Sequence, residues 1–291
     1  MRYAYYPGCA SQVITKEYST TTKKVCQILG IGLEEMKDAN CCGAGLMTDY
    51  NYELSLALNA RIFAQAEKMS LDIITICSTC FMVMSRANRD LKEKPELLEK
   101  INNVLKKAGL RYSGNVRVKH FLFALIEDYG LKKLKKMVKK PLKDMKVAPY
   151  YGCHILRPSY AEGFDDPEKP SSLERLIEAL GADVTHNEGK TKCCGFQIVL
   201  VTQTTAVDMI GKRLKEAKDS GAQCIVSPCP LCHISLDSYQ GEAEKRTHQK
   251  LGVPVLHLSQ LVGLALGISA NELEFSRHLV SPEAVIMRFS D

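Results

Sequence analysis

The chain has no tryptophan among its 291 residues, and aromatic side chains make up only 7% of it. Long apolar runs are also missing. The longest, such as Leu261 to Ile268, fall far short of the ~20 apolar residues that span a bilayer. The opening MRYAYYPGCASQ carries no apolar h-region and no cleavage signature, so secretion is not expected. There is no C-x-x-C-x-x-C-x-x-x-C-P run, which excludes a self-contained bacterial-type ferredoxin. Gly30-Ile31-Gly32 and Gly43-Ala44-Gly45 lack the later glycine of a dinucleotide fingerprint, and no Walker A motif occurs. A redox role would therefore need an external electron source.

Apolar content of 45% and charged content of 25% fit a soluble globular protein with room for two ordinary domains. The net charge of +6 is unevenly placed. Lys132, Lys133, Lys135, Lys136, Lys139, Lys140, Lys143 and Lys146 crowd one segment, with Asp144 as its only acid. A solvated helix and linker is the simplest reading, and a docking surface for an acidic redox partner is the rival. The run lacks aromatic interleaving and any nucleic-acid motif, so nucleic acid is not an expected partner.

The informative residue is cysteine, with twelve in all. Ten of them form one five-cysteine pattern written twice: Cys9, Cys41, Cys42, Cys77 and Cys80, then Cys153, Cys193, Cys194, Cys229 and Cys232. The last four members of each set repeat with a constant offset of 152, which marks an internal duplication. A cytoplasmic location is expected, where thiols stay reduced and serve as ligands or catalysts rather than staples. Cys26 and Cys224 lie outside the pattern, in a predicted helix and a predicted strand, and read as core packing.

The repeat divides the chain near residue 140, giving expected halves 1–140 and 141–291. Each begins with an extended segment ending at Gly-Cys (Tyr3 to Cys9, Val147 to Cys153). Helices are expected over Ser11–Leu29 and Ser171–Leu180, and again over Tyr52–Met69 and Thr205–Lys218. Strands are expected over Asp72–Ile76 and Gln223–Ser227, short and β-branched as buried parallel strands are. Each leads into a C-x-x-C that opens a helix. Val118-Lys119-His120-Phe121 aligns with Val255-Leu256-His257-Leu258, and both histidines read as fold support. The expected class is α/β: two similar Rossmann-like lobes with parallel sheets, related by a pseudo-twofold, with the cysteines at the carboxyl ends of strands.

Adjacent cysteines chelate a single tetrahedral ion poorly, but neighbouring thiolates can reach different metals of a cluster. Five thiolates exceed both the four of a zinc site and the four of a cubane cluster. An iron–sulfur centre of unusual ligand count follows, with a structural zinc protein and a thioredoxin-like dithiol as alternatives. Gly43 and Gly195 permit φ > 0 and let backbone N–H groups approach sulfur. His154 and His233 follow cysteines of the second set only. They are the candidate catalytic residues, able to protonate a leaving thiolate or bind an anion. Lys192 and Arg157 adjoin ligands in sequence and could meet an anionic group, although solvated charge is the simpler reading.

The duplicated C…C-C-G…C-x-x-C pattern resembles the CCG-domain family, and within it the methanogen-type B subunits of heterodisulfide reductase. The likeness covers nearly the whole chain, although the interval before C-x-x-C is slightly shorter than usual in both copies. The resemblance implies that each five-cysteine set holds a noncubane 4Fe–4S cluster, the two facing one cavity between the halves. The implied reaction is reduction of the coenzyme M–coenzyme B disulfide. The implied partners are the ferredoxin-like and flavin-bearing subunits of heterodisulfide reductase, fed by a hydrogenase or formate dehydrogenase. Relatives of this pattern also serve quinone-linked succinate and hydroxy-acid dehydrogenases, which is the alternative.

Overall fold

The computed structural model describes residues 1–159 and 163–289. Two four-stranded sheets are built the same way. The first holds β1 (Arg2–Tyr6), β2 (Gly32–Glu35), β3 (Ile73–Thr75) and β4 (Val118–His120) in the order β2-β1-β3-β4. The second holds β5 (Lys146–Pro149), β6 (Asp183–Val184), β7 (Cys224–Ser227) and β8 (Val255–His257) in the order β6-β5-β7-β8. Every pairing is parallel. The α/β class and the duplicated lobes are thus as expected from the repeat.

Period-2 alternation explains how each sheet is covered on both faces. Tyr3, Tyr5 and Ile74 of the first sheet join Val147, Val226 and Leu256 of the second in one buried cluster. Their strand neighbours Ala4, Tyr6 and Ile73 join Ala148, Tyr150 and Ile225 in another. Both clusters draw on both lobes, so the two sheets are packed against a common interior.

The principal helices are α1 (Lys16–Leu29), α2 (Tyr52–Lys68), α3 (Ser78–Glu93), α4 (Ser172–Ala179), α5 (Gln203–Asp219), α6 (Pro230–Ser238) and α7 (Leu258–Ala265). α2, α4 and α5 match their expected spans to within two residues. The helix expected over Ser11–Leu29 is corrected: a short helix, Ala10–Val13, ends before Thr15, which sits at φ −112°, ψ 53°. The β-branched run Val13-Ile14-Thr15 loses side-chain freedom in a helix, which favours a break there. The segments before each Cys-Cys-Gly are edge strands β2 and β6, which Gly-Leu-Glu-Glu and Asp-Val do not announce.

The crowded lysines surround a short helix, Leu131–Met137. Leu134 is buried there while Lys132, Lys133, Lys135 and Lys136 are exposed. Cys26 and Cys224 are buried in the apolar interior, where burial pushes both thiols up to about 12.

Candidate metal centre

Strands β3 and β7 deliver the C-x-x-C motifs. Cys77 and Cys229 are the N-cap residues of α3 and α6, in extended conformation (φ −120° and −131°). The second cysteine of each motif, Cys80 and Cys232, lies in the first turn, at the positive end of the helix dipole. β1 and β5 deliver Cys9 and Cys153 through Gly8 and Gly152, whose φ values are +81° and +69°. A Cβ on Gly8 would stand 3.1 Å from the Cys80 sulfur, and one on Gly152 would stand 2.9 Å from that of Cys232. Glycine is required here because a thiol occupies the space a side chain would fill.

The Cys-Cys-Gly segments close each set. Cys41 Sγ lies 3.8 Å from Cys9 Sγ, and Cys42 Sγ lies 3.5 Å from Cys80 Sγ. The Gly43 N–H points at Cys41 Sγ (3.4 Å) and the Gly195 N–H at Cys193 Sγ (3.3 Å). Both segments are tethered identically from the sheet. Tyr6 Oη donates to the Asn40 carbonyl (2.9 Å) and Tyr150 Oη to the Lys192 carbonyl (2.8 Å), each one residue before the first paired cysteine.

The thiols share protons unevenly. Hydrogen bonds with Cys42 and Cys9 push Cys41 down to about 2, and those with Cys153 and Cys194 do the same to Cys193. Cys42 and Cys194 are pushed up to about 12, chiefly by bonds with Cys41 and Cys193. Cys9 and Cys153 are also raised, first by the same neighbours. So many sulfurs this close cannot all be thiolates unless cations sit among them. The donor set therefore fits metal, and its five sulfurs per lobe suit an iron–sulfur cluster better than one zinc ion.

The two sets meet. Cys77 Sγ and Cys229 Sγ are 4.0 Å apart across the lobe interface. Burial opposes a thiolate at Cys229, yet bonds from Cys232 and Cys77 hold it well below the ordinary range, while Cys77 is held above it by Cys229. Each lobe also walls the other's site. A cavity of about 250 Å³ beside Cys9, Cys42, Cys77 and Cys80 is closed by Phe196, Leu231 and Ile234 of the second lobe. A space of about 20 Å³ beside Cys153, Cys193, Cys194, Cys229 and Cys232 is lined by Ser78 and Thr79 of the first. Gln197 Nε2 donates to the Ala44 carbonyl (3.1 Å), joining the two Cys-Cys-Gly segments.

Of the two candidate catalytic histidines, His154 lines the second site, its Nδ1 3.0 Å from Thr79 Oγ1. His233 does not. It is buried on the far side of its cysteine, Nδ1 donating to the Val255 carbonyl (2.9 Å), and it lines neither cavity. A helix residue one position after a ligand points about 100° away from it, which is why adjacency misleads here. Arg157 is engaged with the Thr191 and Pro167 carbonyls and with Glu168, and Lys192 is exposed.

His120 and His257, read from the sequence as fold support, also reach the C-x-x-C segments of the opposite lobe. His120 Nε2 donates to the Pro228 carbonyl (3.0 Å), one residue before Cys229, and its Nδ1 accepts from the Leu122 N–H. His257 Nε2 donates to the Ile76 carbonyl (3.2 Å), one residue before Cys77, and its Nδ1 accepts from the Ser259 N–H. The repeat alignment of these two histidines was the available signal.

Residues 3–85 and 147–237 match the family described as Cysteine-rich domain, CCG. The chain is 40% identical over 278 residues to the membrane anchor subunit of 8-methylmenaquinol:fumarate reductase from Wolinella succinogenes, covering 96% of each chain. It is 34% identical over 262 residues to the B subunit of ferredoxin:CoB-CoM heterodisulfide reductase from Methanosarcina mazei, covering 89% of this chain and 87% of that one. It is 30% identical to a protein of Archaeoglobus profundus described as like the heterodisulfide reductase B subunit, covering 94% and 93%. A crystal structure of a hypothetical protein from Helicobacter pylori shares the fold with a TM-score of 0.78 at 14% identity, this chain spanning 52% of it. Among the described residues no helix is long and apolar enough to cross a membrane.

Proposed function

The chain belongs to the cysteine-rich CCG family that includes the B subunits of heterodisulfide reductase, and from that premise we propose that its two lobes form one two-electron centre within a multi-subunit oxidoreductase. Cys9, Cys41, Cys42, Cys77 and Cys80 would hold one noncubane 4Fe–4S cluster, and Cys153, Cys193, Cys194, Cys229 and Cys232 the other. The observation that carries the reading is the 4.0 Å approach of Cys77 to Cys229, which puts ligands of both sets in contact. Such clusters supply one-electron steps. Two of them side by side match a substrate that gains or loses two electrons.

The chain's own residues shape what can reach that centre. Val13, Ile14, Phe196, Leu231 and Ile234 give the larger cavity an apolar wall, and Val13 and Ile14 are also exposed. The segments after both Cys-Cys-Gly motifs present further exposed apolar side chains, Leu46 and Tyr50 in one and Leu200 and Val201 in the other. The apolar cavity wall takes an uncharged ring and offers no counter-charge to a sulfonate or phosphate. The substrate class this supports best is a quinol, which releases two electrons and two protons. His154, whose Nδ1 meets Thr79 Oγ1 at 3.0 Å, would be the proton-transfer group beside the second site.

A second reading is reduction of the coenzyme M–coenzyme B heterodisulfide, in which two electrons and two protons yield two thiols. The matched five-cysteine sets favour it, because each product thiolate would have its own cluster. Ferredoxin-like and flavin-bearing subunits would then deliver the electrons.

Anaerobic turnover of the holo-complex separates the two. Oxidation of a menaquinol analogue with bleaching of the cluster absorbance is the expected result. Reoxidation of the reduced protein by the heterodisulfide, with no response to quinone, would replace the first reading by the second.

A further inference from the structure

A second group of metal-ligating side chains lies apart from both cysteine sets. His233 and Asp237 are four residues apart on α6, hence on one face of it. His278 follows the short turn Phe275–Arg277 near the end of the chain. All three are buried, and one ligand atom from each lies within 4.8 Å of the others.

The hydrogen bonds these side chains make elsewhere allow their remaining atoms to face one another as acceptors. His233 Nδ1–H donates to the Val255 carbonyl, so its Nε2 is a lone pair, 3.7 Å from Asp237 Oδ2. Both Asp237 oxygens accept backbone N–H groups, from Leu279 (2.8 Å) and Val280 (3.1 Å), as a carboxylate does. His278 Nε2 meets the Gln260 amide, 2.9 Å from its Nε2 and 3.1 Å from its Oε1; the tautomer that shares a proton with Oε1 leaves Nδ1 a lone pair. That Nδ1 is buried and has no hydrogen-bond partner. In that tautomer two imidazole lone pairs and a carboxylate oxygen converge. Acceptors desolvated together repel unless a cation sits between them.

We propose that His233, Asp237 and His278 bind a zinc ion, distinct from the cysteine-held clusters and independent of the reading of their substrate. Two imidazoles and one carboxylate are a donor set zinc takes, with ligands at ~2.0–2.2 Å and hence ~3.4 Å from one another. The His233–Asp237 separation is already close to that, and His278 must close by about 1 Å. The outer partners are of the kind that orient such ligands: a carbonyl on His233, an amide on His278 and backbone N–H groups on Asp237. Tyr18 of α1 packs edge-on against both rings, at 5.0 and 6.4 Å between centroids, and its buried hydroxyl has no partner. The fourth position falls to that hydroxyl or to a water. The ion ties together α6, which carries Cys229 and Cys232, the C-terminal segment and the first lobe's α1. Arg277 Nε donating to Glu17 Oε2 (2.8 Å) reinforces the same joint.

Elemental analysis of the anaerobically purified holo-chain tests this. The expected result is about one zinc per chain alongside the cluster iron. Asp237→Asn and His278→Gln should each lose the zinc and keep the iron and its visible absorption. Chelator-treated wild-type protein titrated with Co2+ should develop the d–d absorption of a tetrahedral site. Zinc retained in both variants would assign it to the cysteines and overturn the proposal. So would wild-type protein with no zinc that also gives no d–d absorption with Co2+, since a proton would then be what separates the acceptors.

Discussion

The imidazole of His120 in the first lobe donates to the carbonyl oxygen of Pro228 in the second, 3.0 Å away and one residue before Cys229. His257 returns the contact to Ile76, one residue before Cys77. Each lobe therefore positions the other's C-x-x-C. His120→Ala should cost ~1–3 kcal/mol, from the unpaired buried carbonyl, and His257→Ala a similar amount. The diagnostic result is where iron is lost: from the second lobe in His120→Ala and from the first in His257→Ala. Iron analysis in backgrounds lacking one cysteine set reads this directly.

Burial holds both histidines neutral, His120 down to about 3 and His257 down to about 4. An unfolded histidine titrates near 6.5. Above that pH their contribution to stability is fully present. Below it the unfolded chain binds protons that the folded chain refuses, so stability falls with pH until about 3 and about 4 are passed. Between pH 7.5 and 5.5 each should cost roughly 1.4 kcal/mol. Denaturant unfolding at both pH values should show this loss in wild type and a smaller one in His120→Gln/His257→Gln.

Gly8→Ala and Gly152→Ala add a Cβ in the left-handed region, 3.1 and 2.9 Å from cysteine sulfur. Gly109→Ala is the control, with φ +66° and nothing within 4 Å of the added atom. All three should lose ~1–2 kcal/mol to backbone strain. Only the first two should also lower the iron bound per chain.

Tyr6→Phe and Tyr150→Phe remove the hydroxyls that hold the Asn40 and Lys192 carbonyls. Each should cost ~1 kcal/mol. Release of iron to a chelator should quicken in each variant from the lobe whose Cys-Cys-Gly segment is freed.

The sheet strands β1, β3, β5 and β7 were legible because short β-branched or aromatic runs ended at cysteines spaced alike in both halves. Edge strands β2 and β6 were not, since their pairing with β1 and β5 stabilises residues of little strand preference. The two five-cysteine sets could be read from spacing, but the approach of Cys77 to Cys229 could not. That Cys77 faces Cys229 depends on how two separate sheets pack, and no local pattern encodes it. His154 reaches its site because it follows Cys153 in a turn, where the chain can bend back. His233 follows Cys232 within a helix, where the next residue must point elsewhere. His278 carried no signal at all, because its partners lie 41 and 45 residues earlier in the sequence.

The central claim is that two five-cysteine sites work as one two-electron centre. Its most direct test is anaerobic turnover with cluster content measured on the same sample, for wild type and for Cys41→Ser/Cys42→Ser. Wild type should carry about eight iron atoms and turn over. The variant should keep the second lobe's cluster, about half the iron, and lose two-electron turnover altogether. Turnover at half the wild-type rate with half the iron would contradict the claim, because each lobe would then be acting alone.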